Sequence, residues 1–158
     1  MKESMERGLA AYEQMRGAER ARSIKASIDS GTFGSSMAAL SMDFVFGSVW
    51  AREGLDRRAR SLVTLGILIA LRQRDELKNH IRIALTNGLS VVEIEEVMIQ
   101  ASVYAGFPAA HTASNATSEV LEALEFERGT VGSERGSNAN KAGESVRVAG
   151  AKRADDSR

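Results

Sequence analysis

Cysteine does not occur among the 158 residues. Disulfides, thiolate metal ligands and every mechanism that begins with a thiolate are excluded by that absence. Net charge is missing as well. The 21 Lys and Arg residues balance 21 Asp and Glu residues, so no overall field draws the chain toward nucleic acid or an anionic membrane surface. An anionic ligand would have to be held by a local cluster. Aromatic residues make up only 5% and proline occurs once, a mix that disfavours a β-sandwich and leaves helices uninterrupted. The most apolar run, Leu62 to Leu71, contains Thr64 and Gly66 and is far shorter than the ~20 residues of a membrane span. The opening MKESMERGLAAYEQMR is charged and amphipathic, without the apolar stretch of a secretory signal. The expectation is a cytoplasmic protein with no nucleic-acid or membrane partner.

What is present reads as a single all-α domain of about six helices over residues 1–127, followed by a disordered polar tail over 128–158. Met5, Leu9, Tyr12 and Met15 or Arg16 recur at helical spacing in a first segment, about Lys2 to Ile28. SGTFGSS interrupts it. A second helix over about Ser36 to Val49 places Met37, Leu40, Phe44 and Val45 on one side. After the turn WAREGLD, Asp56 is a plausible N-cap for a third helix reaching about Arg72. Asp75 is the expected cap of the fourth, which Asn87-Gly88 ends. Ser90 and Glu93 form a Ser-x-x-Glu capping box for the fifth, which stops at Gly106. Pro108 opens the last, to about Glu127, in a first-turn position where its missing N–H costs nothing. From Gly129 onward the chain has no Leu, Ile, Met or aromatic residue and cannot offset its ordering entropy by burial.

Three local clusters carry possible chemistry. On the fourth helix Glu76 and His80 stand at i and i+4 beside the apolar stripe Leu77, Ile81, Ala84 and Leu85. A carboxylate next to an imidazole fixes its tautomer and favours the protonated ring, which suits a proton donor. An ordinary surface pair at a helix N-terminus explains the same spacing. Arg57, Arg58 and Arg60 crowd the start of the third helix, where the helix dipole repels cations. Arg60 is one turn from Thr64 and is placed to share a cleft with His80, whereas Arg57 and Arg58 read as a solvated face paired with Glu53 or Asp56. In SVYAGFPAAHTASN, His111 falls in the first turn of the last helix, where the dipole favours a neutral ring or a bound anion. Two histidines in separate segments without HExxH give no metal-site pattern.

FGSVWAREGLDRRARSLVTL, DELKNHIRIALTNGLS and VYAGFPAA, in that order, together resemble the carboxymuconolactone decarboxylase family, within the alkylhydroperoxidase D-like superfamily. The resemblance spans about Phe44 to Leu124, with a weaker echo in ERGLAAYEQMRG. It implies an alkylhydroperoxidase D-like helical fold that assembles as a homotrimer or hexamer. The redox members of that superfamily use CxxC followed by a histidine. Aligned on His80, their cysteines fall at Gln73 and Glu76, so thiol peroxidase chemistry is excluded by the residues themselves. The decarboxylase branch remains. Its reaction removes carbon dioxide from a carboxylated γ-lactone (4-carboxymuconolactone to the β-ketoadipate enol-lactone, in aromatic degradation). No cofactor is implied, because the electrons of the breaking bond flow into the lactone carbonyl. The protein must anchor a second carboxylate, stabilise an oxyanion and protonate carbon.

Carried over residue by residue, the resemblance assigns His80 as proton donor or oxyanion partner and Glu76 as the group that orients and charges it. Arg60 anchors a substrate carboxylate. Trp50, Phe46 and Tyr104 form a dry wall that favours loss of the carboxylate, and His111 touches the ring or carbonyl. The sequence departs from the family pattern at Glu53, where proline is common, at Phe46, where tryptophan is usual, and at His111, where asparagine is usual. Ser114 and Asn115 replace bulkier residues. Reaction type is thus better specified than substrate, and another cyclic or β-keto acid, such as a polyketide intermediate, is the alternative. A non-catalytic helical oligomer or DNA-binding module is the remaining one, since NGLSVVEIEEVM has the outline of a helix-turn-helix. Its would-be recognition helix carries Glu93, Glu95 and Glu96, which repel phosphate.

Overall fold

The computed structural model of the chain describes residues 2–125, and among them there are helices and turns but no strands. The residues 128–158, read from the sequence as a tail, lie outside the described part. By its internal contacts the chain divides into two compact units, Met1–Thr117 and Ser118–Arg158. In the first unit the order is α1 (Lys2–Arg16), α2 (Ala18–Asp29), α3 (Ser35–Leu40), a π-helix (Ser41–Trp50), α4 (Arg57–Ala70), α5 (Arg74–Thr86) and α6 (Val91–Ala105). Helical residues 107–117, here α7, close it, and the helical residues 118–125 begin the second unit. The all-α reading holds.

The long first helix of the sequence reading is two helices. Gly17 breaks it at φ 87°, a backbone region that costs glycine nothing and other residues strain. Periodicity hid the break, because Ile24 and Ile28 on α2 pack against the same apolar cluster as Met5, Leu9 and Tyr12 on α1.

A larger correction concerns the next segment. Met37, Leu40 and Phe44, the apolar side in the sequence, are 71%, 59% and 63% exposed. The buried face is instead Met42, Phe46, Gly47 and Trp50. The segment is a π-helix with i→i+5 bonding. Residues four apart, Met42, Phe46 and Trp50, line up on one side and pack with Ala11, Met15 and Ile83.

α1 lies along this π-helix at backbone contact distance. A Cβ on Gly8 would land on the Met42 carbonyl, and one on Gly47 on the Ser4 carbonyl. Ser4 Oγ also donates to Asp43 across the pair.

The other helices start as their caps dictate, with one exception. Asp56 accepts from the Ala59 N–H at 2.7 Å, and Ser90 and Glu93 form the complete capping box. α5, however, begins at Arg74 with Gln73 in the cap position and no side-chain cap bond, so Asp75 lies inside the first turn. α4 packs on both α5 and α6. Arg58 reinforces that arrangement by donating to the Gly88 carbonyl and to both oxygens of Glu93. Its partner is therefore Glu93, not Glu53 or Asp56, and Arg57 donates to Gln14 of α1. The bond from Arg58, with those from Ser90, holds the Glu93 carboxyl down at about 2. Among the described residues no helix is long and apolar enough to cross a membrane.

Candidate active site

Four rings run in line through the α1, π-helix and α5 junction. Tyr12 meets Phe46 edge-on at 4.9 Å. Phe46 stacks on Trp50 at 6.4 Å, and Trp50 stacks on His80 at 5.9 Å, each with planes 22° apart. Phe46 and Trp50 are buried, while His80 keeps a partly accessible edge. The π-helix positions the two aromatic rings one above the other. α5 presents His80 to them because Leu77, Ile81 and Ala84 on the same helix are buried.

His80 is chemically unusual here. Its Nδ1 is buried and has no hydrogen-bond partner, a state that costs free energy unless a ligand or solvent relieves it. Burial pushes the ring below its ordinary titration range; the Glu76 carboxylate opposes this and the Arg16 guanidinium adds to it. The sequence reading had Glu76 charging the ring. The structure ranks burial above that attraction, and Glu76 itself is exposed. Burial thus sets His80 toward the neutral imidazole.

Arg16 and Asn79 are the residues that sequence reasoning missed. Arg16 Nη1 donates to the Asn79 carbonyl at 3.1 Å and Nη2 to Asn79 Oδ1 at 3.2 Å. This double bond pair ties the end of α1 to the turn of α5 that carries His80. A signal was present: a cation standing on the apolar stripe of the first helix, directly before Gly17.

Arg60 is placed differently from the expectation. Its Nε donates to the Leu55 carbonyl at 3.0 Å and its Nη2 to the Arg52 carbonyl at 3.1 Å, so it braces the loop that leaves Trp50. Tyr104 is exposed and lines a groove of 730 Å³ between α4 and α6, beside Leu62, Val63 and Val97. Neither the line of rings nor Arg16 borders that groove. His111 is exposed on α7. Of the expected site residues, one chain brings together Phe46, Trp50 and His80, with Glu76 one turn away. Among the described residues there is no group of three or more His, Asp or Glu side chains placed to hold a metal ion.

The sequence profile of the carboxymuconolactone decarboxylase family matches residues 36–119, more than half of the chain. The chain belongs to this family. Within the family it is 43% identical over 81 residues to the 4-carboxymuconolactone decarboxylase of Acinetobacter baylyi, a match covering 51% of this chain and 60% of that protein. It is also 40% identical over 79 residues to the nitrosuccinic acid decarboxylase npaB of Metarhizium robertsii, covering 50% and 55% of the two chains. The matched stretch thus spans less than two thirds of either of these curated relatives. The family match begins within α3 and includes Phe46, Trp50 and His80, but it leaves out Tyr12 and Arg16.

Proposed function

We propose that the protein is a cofactor-independent decarboxylase of small dicarboxylic acids, with 4-carboxymuconolactone as the first substrate to try. The observation that carries this reading is the His80 imidazole, stacked on Trp50 with a buried, unpartnered Nδ1, in a chain of the carboxymuconolactone decarboxylase family. The two named relatives act on acids that share a chemistry. Each name denotes a compound with two carboxyl groups, one on a carbon joined to an electron sink, a conjugated lactone in one case and a nitro group in the other.

The step this site supports balances without a cofactor. The C–C bond to the departing carboxylate breaks, carbon dioxide leaves, and the electron pair enters the sink as an enolate or nitronate. A proton then adds to carbon. Trp50 and Phe46 exclude water from the departing carboxylate, which favours its conversion to neutral carbon dioxide. Burial sets His80 toward the neutral ring, and a bound dianion draws a proton onto it by simple attraction. The proton donor is thereby armed by the substrate.

Release of carbon dioxide from freshly generated 4-carboxymuconolactone by the purified chain is the test, with nitrosuccinic acid in parallel. Rapid release from either supports the reading. No release from both, by a folded chain, overturns it as stated.

The active assembly is proposed to be a homo-oligomer, a trimer or hexamer, working in the cytoplasm on this small carboxylate with no nucleic-acid or membrane partner. Two apolar surfaces support self-association. Leu62, Val63, Ile67, Val103 and Tyr104 are exposed on α4 and α6, and Met37, Leu40 and Phe44 on α3 and the π-helix. Monomers rarely leave such large apolar areas in water. Sedimentation of the native chain is expected to give a mass of three or six chains, and a single-chain mass at micromolar concentration would overturn the assembly.

A further inference from the structure

We propose that Arg16 is the receptor for the second carboxylate of the substrate, the group that stays behind when carbon dioxide leaves. The inference rests on the decarboxylase reading for its substrate and on the geometry of α1 for its residue.

Arg16 is half-buried at the end of α1. Its two hydrogen bonds go to neutral acceptors, the carbonyl and the side-chain oxygen of Asn79. Among the described residues no carboxylate lies within ion-pair distance of it. A half-buried guanidinium without a counter-charge gains by accepting an anion. It is also incompletely used, because two of its five N–H groups are engaged and three remain. The Asn79 pair orients the guanidinium and leaves N–H groups that a carboxylate can take through two parallel bonds.

Its location fits the reaction. Asn79 precedes His80, whose ring closes the aromatic line. A dicarboxylate gripped at Arg16 would bring its other end, with the breaking bond, against His80 and Trp50. Arg60 also has two N–H groups engaged, both on carbonyls of the loop it braces; Arg16 differs in standing close enough to act on the His80 ring.

The test reads binding and turnover separately. The chain has two histidines, so the His80 ring signal in an NMR spectrum is assigned by its loss in His80→Gln. Succinate is the probe. Titrating it into the native chain is expected to move the His80 signal saturably. In Arg16→Gln the affinity for succinate falls about ten- to a hundredfold, the span of a lost charge-assisted bond, and Arg16→Lys recovers part of it. Arg20→Gln, which removes an exposed cation on α2, controls for net charge. With the lactone as substrate, KM is expected to rise by a similar factor in Arg16→Gln, with a smaller change in kcat.

Absence of any saturable response in the native chain would overturn the proposal. So would native succinate affinity in Arg16→Gln, or a loss confined to Arg60→Gln, which would return the carboxylate to that residue. Should Arg16→Gln fail to fold, Arg16→Lys carries the measurement, since it keeps the charge and loses the fork. The succinate titration needs no turnover. A chain that binds succinate through Arg16 but releases no carbon dioxide from either acid keeps this proposal and loses the decarboxylase reading. A chain that decarboxylates the lactone with an unchanged KM in Arg16→Gln does the reverse.

Discussion

Replacing His80 with alanine is expected to lower carbon dioxide release about a hundred- to ten-thousandfold, the usual worth of a positioned proton donor, while the helical fold persists. Steady-state release with far-ultraviolet dichroism beside it checks both halves. The fold should survive because His80 packs on Trp50 by one face and leaves an edge toward solvent, and its Nδ1 makes no bond that the fold would lose. His80→Gln, which keeps volume and polarity, should fold better and still lose turnover. A rate near that of the native chain in either variant would remove His80 from the mechanism.

The same residue predicts a stability change with pH. Burial is the main cause that lowers the folded-state titration of His80, so folding favours the neutral ring. Above the unfolded value of about 6.5 both states are neutral and stability is full. As pH falls below that value the unfolded chain takes up the proton first, and stability declines until the folded ring is protonated as well. Urea midpoints measured from pH 7.5 down to 5 should therefore fall more steeply in the native chain than in His80→Gln. Equal slopes would mean that the ring is not desolvated as described. A saturating dicarboxylate should flatten the native slope, since it favours the protonated ring in the folded state.

How much of this was legible in the sequence depended on how local the cause was. Asp56, the Ser90 and Glu93 box, Asn87-Gly88 and Gly106 act on their own helix ends through one or two bonds, and each stands where the sequence puts it. The break at Gly17 was not legible, because the apolar stripe continues across it onto α2 and a glycine inside a helical pattern is compatible with either outcome. The π-helix was less legible still. An α-helical wheel puts Met37, Leu40, Phe44 and Val45 on one side and Met42, Phe46 and Trp50 on another, and the second side is the one that packs on α1. Phe46 and Trp50 entered the expected site only through the family resemblance. Arg16 was hidden for a different reason. Its meaning lies in a pairing with Asn79, 63 positions away, and nothing local to either residue announces that partner.

Gly47→Ala is expected to be the most destabilising single substitution outside the site, with a loss of about 3 kcal/mol or more, beyond the ordinary cost of overpacking. In most helix interiors alanine is preferred to glycine by about 1 kcal/mol, so the sign is reversed here by packing alone. A Cβ at Gly47 meets the Ser4 carbonyl, and the obstacle is backbone, which has no rotamer to move aside. Gly8→Ala meets the Met42 carbonyl from the other side of the same crossing and should cost a similar amount. Relief requires α1 and the π-helix to separate. That separation would pull Tyr12 from Phe46 and Arg16 from Asn79, contacts that join α1 to the site. Gly54→Ala is the control: nothing lies within 4 Å of the added Cβ, and loss of unfolded-chain freedom makes it neutral or stabilising by up to about 1 kcal/mol. Urea denaturation of the three variants decides the matter. Native stability in Gly47→Ala and Gly8→Ala would mean that the crossing is looser than described. A large loss would tie the closeness of two backbones, which glycine alone permits, to the placement of the rings and the guanidinium on which turnover is proposed to depend.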